Sequence, residues 1–160
     1  MQVKKYRLTE ETTKVGNRTL YRIQALRDFG NVKEGDIGGY IESEKNLSQD
    51  GNAWVYGNAR VYGDACVYGD AWVSDNARVY GDADIKTTGD ICSMSGFGSE
   101  YRTTTAFRTK NGDVHVSCGC FQGNLEAFCQ RVESTHGNNL YGREYKKMIE
   151  MLKIHFEVEP

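Results

Sequence analysis

A branched aliphatic residue recurs every six positions at Val55, Val61, Val67, Val73, Val79, Ile85 and Ile91, and a small residue stands two before each, at Ala53, Ala59, Ala65, Ala71, Ala77, Ala83 and Gly89. Nothing else in the chain constrains its fold as strongly, because two registers kept in step over this length mean that one structural unit is being repeated. The strict form of the unit is Ala-x-Val-Tyr-Gly-Asn/Asp. Its Ala and Val point to one side of a short strand, x and Tyr point to the other, and Gly-Asn/Asp supplies a bend from residues that accept positive φ. Three strands and three bends close a coil of 18 residues, so side chains that far apart stack on one face, about 4.8 Å from each other as on neighbouring strands.

That register sorts the outward residues into three faces. Trp54 stacks under Trp72 with Tyr56 beside them, Arg60 under Arg78 with Tyr62 under Tyr80, and Cys66 under Asp84 with Tyr68 under Lys86. An outward tryptophan pair predicts an apolar association patch made of Trp54, Trp72 and Tyr56. Stacked arginines repel unless an anion sits between them, and tyrosines beside them offer rings to a planar group, so Arg60, Tyr62, Arg78 and Tyr80 form the candidate ligand face. The plainer reading is that Asp64, Asp82 and nearby carboxylates neutralise these arginines in solvent.

On both sides of the array the period of six is lost. KKYRLTEE and TLYRIQALRDF alternate around Gly16-Asn17, which predicts a β-hairpin with Leu20, Ile23 and Leu26 available for burial. GDIGGYIESEKNLSQDGN, with Ile37, Ile41 and Leu47, predicts one imperfect further coil. After the array, Asn111-Gly112 signals a type I′ hairpin between YRTTTAFRT and VHVSCGC. Asn124 is placed to cap a helix carrying Leu125, Phe128, Cys129 and Val132 on one face and ending at Gly137. A last helix from about Leu140 carries Tyr145, Met148, Ile149, Leu152 and Phe156. The expected organisation is a hairpin cap at 1–36, the repeat body at 37–95 and a ββαα unit at 96–160.

Eighteen Gly and a single Pro in 160 residues fit a chain of tight bends and hydrogen-bonded strands. A net charge of −2 supplies no general field for duplex nucleic acid or an anionic membrane, so any anion site is local. No apolar run has signal-peptide or membrane-span length, and the five scattered cysteines fit a reducing compartment, which together predict a cytoplasmic protein.

The array resembles that of hexapeptide-repeat proteins. The resemblance implies a mainly β fold built on a short left-handed parallel β-helix, with the N-terminal β-hairpin cap and the C-terminal α+β (ββαα) unit as its ends, and it implies a homotrimer. The chain as a whole is similar to small proteins encoded by bacteriophages and prophages. The likeness is carried by KKYRLTEET, by LYRIQALRDFGNVKEGDIGGYIESEKNLSQDGNAWVYGNA, and by the ending GCFQGNLEAF, RVESTHG and EYKKMIEML. It implies an accessory protein acting in the cytoplasm of a host bacterium, and it implies no particular activity.

Three classes of function follow. The first is a non-catalytic binder that, as a rigid oligomer without cofactor, sequesters a nucleotide-type host immune signal, with arginine for phosphate and tyrosine for base; Arg102 and Arg108 add charge in the later hairpin. The second is a protein-interaction module that engages a host or phage protein, such as a host defence protein, through the charged side of the last helix, Arg143, Lys146, Lys147 and Lys153. The third is an enzyme. Acyl transfer of the hexapeptide-repeat type uses a loop histidine as base, yet His115, His136 and His155 all follow the array. Cys120 with His136 is a nucleophile and base pair lacking any assignable oxyanion device. Cys118, Cys120, Cys129 and His136 have poor spacing for a metal, and no catalytic residue or metal ligand is assigned.

Overall fold

The computed structural model describes residues 3–158. Two strands open the chain, β1 (Tyr6–Val15) and β2 (Arg18–Ala25), joined by Gly16-Asn17 with the glycine at φ 58°. β3 (Ile37–Ile41) follows, and then six strands of two residues each: β4 (Trp54–Val55), β5 (Arg60–Val61), β6 (Cys66–Val67), β7 (Trp72–Val73), β8 (Arg78–Val79) and β9 (Asp84–Ile85). The chain divides into two compact units, Met1–Thr88 and Gly89–Pro160.

Within the first unit the short strands pair in parallel in the register that the period predicts: Trp54 opposite Trp72, Arg60 opposite Arg78, and Cys66 opposite Asp84. The backbone bonds run accordingly, from the Arg60 N–H to the Ala77 carbonyl at 2.9 Å and from the Tyr62 N–H to the Val79 carbonyl at 3.0 Å. Each rung puts an alanine and a branched aliphatic inward, and Ala53 to Ala83 and Val55 to Ile85 are buried throughout. The bends close with a bond from the alanine N–H back to the residue before the glycine, as from Ala59 to Tyr56 at 3.2 Å. The first central position of each bend needs positive φ, which Gly63 takes at 66° and Asp75 takes at 60°.

The expected short left-handed parallel β-helix with a separate hairpin cap and a ββαα unit is corrected by the sheets. The largest sheet runs β1-β2-β3-β5-β8 and is mixed, because β2 pairs antiparallel with β3 while β3 pairs parallel with β5. The hairpin therefore continues a sheet edgewise, which satisfies the backbone groups along the edge of β3. The Gly38-Gly39 pair permits it. A Cβ on Gly38 would lie 2.7 Å from the Ile23 side chain and 2.6 Å from the Val55 carbonyl oxygen. The imperfect coil also has a different offset. Ile41 pairs with Val61 and Leu47 bridges to Val67, twenty residues apart, with a short 3-10 turn at Glu44–Asn46 taking up the extra length. Ile41 and Leu47 are buried, whereas Ile37 is exposed.

The period ends sooner than the spacing predicts, since Ile91 lies opposite Phe107 in an antiparallel pair. The second unit has four strands before its helices where two were expected: β10 (Ile91–Phe97), β11 (Arg102–Arg108), β12 (Val114–Cys118) and β13 (Phe121–Asn124), paired antiparallel in that order. The β11–β12 turn bonds Gly112 N–H to the Thr109 carbonyl at 2.9 Å and places positive φ at Gly112 but not at Asn111, so it is a three-residue loop in place of the expected type I′ turn. Helix α1 (Leu125–Thr135) is capped by Asn124, whose side chain accepts from the Ala127 N–H at 2.8 Å, and α2 (Leu140–His155) is capped by Asn139 through the Gly142 N–H at 2.9 Å. Their apolar faces, Phe128 and Val132 with Tyr145, Met148, Ile149 and Leu152, cover Ala106 and Val116 of the sheet. No helix among the described residues is long and apolar enough to cross a membrane.

Candidate ligand-binding site

The parallel register brings Arg60 and Arg78 side by side, and Tyr40 stands opposite Arg60 on the next strand of the same sheet. One row of outward side chains therefore runs Arg22, Tyr40, Arg60, Arg78 across β2, β3, β5 and β8. Arg22 anchors its end. Its guanidinium lies 4.3 Å from the Tyr40 ring centre, donates to the Tyr40 hydroxyl at 2.7 Å, and pairs with Glu11. The donors on Arg22 and Tyr40 hold the exposed Glu11 carboxyl below its usual range.

Beside this row, Tyr62 and Tyr80 stack at 5.3 Å with an interplanar angle of 15°. The sequence offered these rings to a planar ligand, but they are only 7% and 8% exposed and use their faces on each other, so they are packing residues. Burial pushes the Tyr62 hydroxyl up from its ordinary value, and the charges of Arg78, Arg18 and Arg60 pull it the other way. Arg18 lies 5.7 Å from the Tyr62 ring centre and pairs with Glu42 at 2.8 Å. Asp64 pairs with Lys45 at 3.1 Å, and both Asp64 and Arg78 have further partners. Arg60 makes no ion pair among the described residues, and its Nε is buried without a hydrogen-bond partner.

The sequence did not single out Arg18 and Arg22. They reach this face because β2 pairs with β3, and the one signal for that pairing was the Gly38-Gly39 step, which marks a close backbone approach. The tryptophan face also changes. Trp54 is 1% exposed, closed over by Tyr6 and Phe29 in edge contacts at 6.2 and 5.2 Å, while Trp72 remains 43% exposed against Tyr56. The expected outward pair is a single outward tryptophan.

Arg102 and Arg108 stand at opposite ends of β11 and do not form one patch. Arg108 is committed to structure, paired with Asp90 at 3.4 Å and donating to the Phe156 carbonyl at 3.0 Å. Arg102 lines a cleft that also contains Cys118, Cys120 and His136. The Cys118 thiol accepts from Thr104 and touches the Tyr145 hydroxyl at 3.6 Å, while Cys129 packs against the core. No group of three or more His, Cys, Asp or Glu able to hold a metal ion occurs among the described residues. On the charged side of α2, Lys146 pairs with Glu133 and Lys147 with Glu150.

What these features define as a class is a mainly β chain whose repeat unit carries a basic row and whose second unit carries a small cleft. No family model matches the chain. Over 62 residues it is 39% identical to a protein of Escherichia coli strain K12 named uncharacterized acetyltransferase YdcK. The match covers 34% of this chain and 19% of that protein, so the chain spans about a fifth of the length of the curated relative it matches.

Proposed function

We propose that the protein is a non-catalytic binder of a small phosphorylated ligand, held by its phosphate on the Arg60–Arg78 face. The observation that carries this reading is the Arg60 Nε, a buried donor with no partner. An unpaired buried N–H costs about 1–3 kcal/mol, and a guanidinium held in place at that cost, with no ion pair among the described residues, offers its remaining N–H groups to a phosphate. Guanidiniums on adjacent strands suit the several oxygens of one phosphate. The Tyr62 hydroxyl, kept protonated by burial, is a further donor beside them. Because Tyr62 and Tyr80 face each other, recognition rests on phosphate and ribose rather than on base stacking.

In the phage setting that the sequence resemblance implies, such a ligand is a nucleotide-type host immune signal, and the protein acts by occupying it. Assembly into a homotrimer then rests on the exposed Trp72 with Tyr56, since Trp54 is spent inside the subunit. Melting of the full chain with pyrophosphate, ADP-ribose and cyclic oligonucleotides tests the reading. A rise of several degrees with at least one of them, lost on Arg60→Gln, is the expected result. No shift with any, together with specific capture of a host protein, favours the interaction module instead.

A second reading, acyl transfer, is favoured by the name of the Escherichia coli protein matched over part of the chain. The repeat stretch offers it no histidine base, because His115, His136 and His155 all lie beyond Ile85. Thiol release from acetyl-coenzyme A in the presence of amine or hydroxyl acceptors would establish it and displace the binding reading.

A further inference from the structure

We infer that the cleft of the second unit is a separate binding site for a small organic anion, with a carboxylate or phosphate at one end and a flat apolar body. The local sequence builds the cleft in three steps. β12 ends at Cys118, the two-residue turn Gly119-Cys120 reverses the chain, and β13 starts on the buried Phe121. Asn124 then starts α1, whose helical spacing turns Phe128 and Val132 inward and leaves Arg131 at the rim. At the end of α1 the chain turns back through Gly137, and His136 stacks on Tyr145 of α2 at 5.8 Å with an interplanar angle of 23°. The ending GCFQGNLEAF, RVESTHG and EYKKMIEML thus contributes most of the residues that line this cleft.

Its floor is aromatic and its rim is cationic. Phe121 and Phe128 lie 5.3 Å apart, and Phe128 meets Tyr145 edge-on at 5.7 Å. Arg131 stands over the Phe121 ring at 5.4 Å. Arg102 crosses the turn so closely that a Cβ on Gly119 would collide with its guanidinium. Neither arginine makes an ion pair among the described residues, whereas Arg18, Arg22 and Arg108 all do. Among the described residues Glu100 is the one carboxylate in the lining, against two guanidiniums and His136. A pair of uncompensated guanidiniums above an apolar floor selects an anion whose body is apolar: the forks take up the oxygens and the rings take up the body. The cleft encloses about 200 Å³, below the roughly 300–1,000 Å³ of drug-sized sites, so the ligand is of single-ring or short-chain size.

The test uses the full chain with benzoate, phenyl phosphate, benzyl alcohol and inorganic phosphate, reading melting temperature and the alkylation rate of Cys120, an exposed thiol on the cleft. Benzoate or phenyl phosphate is expected to raise the melting temperature and to slow Cys120 alkylation several-fold, with Cys66 unaffected. Benzyl alcohol and inorganic phosphate should each act at least tenfold more weakly. Arg102→Gln with Arg131→Gln should remove the effect, and Arg60→Gln should leave it intact, which separates this site from the basic row of the first unit. If the double variant loses its fold, Arg131→Gln alone carries the comparison. The inference is overturned if neither aryl anion changes either readout, if inorganic phosphate equals phenyl phosphate, or if the effect survives loss of the arginines.

Discussion

Between Trp54 and Ile85 every strand has two residues and bonds to a strand eighteen positions away, whereas from Ile91 to Asn124 the strands have four to seven residues and bond to their neighbours in sequence. The first region fills its interior with alanine and branched aliphatics delivered by the repeat, and the second fills its own with Phe128, Tyr145, Met148 and Leu152 from two helices. A repeat makes every rung alike inside, so differences between its rungs are free to appear outside. Trp54 and Trp72 show how far that goes: they are register partners, yet one lies under Tyr6 and Phe29 and the other meets solvent.

Truncating the two tryptophans breaks the comparison most sharply. Trp54→Ala removes a buried side chain with aromatic neighbours and should cost about 3–5 kcal/mol, while Trp72→Ala should stay below about 1 kcal/mol, both read from urea unfolding of the dilute, monomeric subunit so that loss of a Trp72 interface does not enter. Equal costs would show that the hairpin does not close over Trp54. Next come the bends. Gly51 and Gly81 both have positive φ, but a Cβ on Gly51 would lie 2.7 Å from the Gly69 carbonyl oxygen and one on Gly81 would meet nothing within 4 Å. Gly81→Ala should therefore cost about 1–2 kcal/mol from the left-handed backbone alone, and Gly51→Ala clearly more.

A smaller effect, set by pH, belongs to Lys5, which is fully buried and donates to the carbonyls of Ala53 at 2.8 Å and Asp50 at 3.3 Å. Burial and the neighbouring Arg27 charge lower its ammonium from 10.5 to about 8. Between those values the unfolded chain binds more protons than the folded one, so stability rises with pH across the window. The unfolding free energy of the wild type minus that of Lys5→Met should therefore grow from about pH 7.5 to about pH 9.5, by on the order of 1–2 kcal/mol. A flat difference would mean that Lys5 keeps its ordinary affinity for a proton.

The repeat was legible because a period of six fixes which residues can pair and leaves little freedom in register; hence Arg60 opposite Arg78 and Cys66 opposite Asp84, each eighteen positions apart. The capping asparagine Asn124 was legible because its mechanism is local. What escaped was set by non-local contact. The β2–β3 pairing depends on two glycines that accept Ile23 and Val55, and it turns an expected cap into part of a mixed sheet. β10 begins on Ile91, which also satisfies the repeat, and β13 has the glycine- and asparagine-containing sequence FQGN, with little strand propensity to announce it. At the candidate site, the arginine row was visible from the spacing of eighteen, whereas the burial of Tyr62 and Tyr80 and the arrival of Arg18 and Arg22 were not.

The central claim is that the row through Arg60 and Arg78 holds a phosphate rather than facing bulk solvent. Calorimetric titration of pyrophosphate and ADP-ribose into the wild type and into Arg60→Gln measures it directly. The account predicts saturable one-site binding that weakens as salt is raised and falls at least tenfold in the variant; equal affinity in the two proteins, or no binding to either, would contradict it.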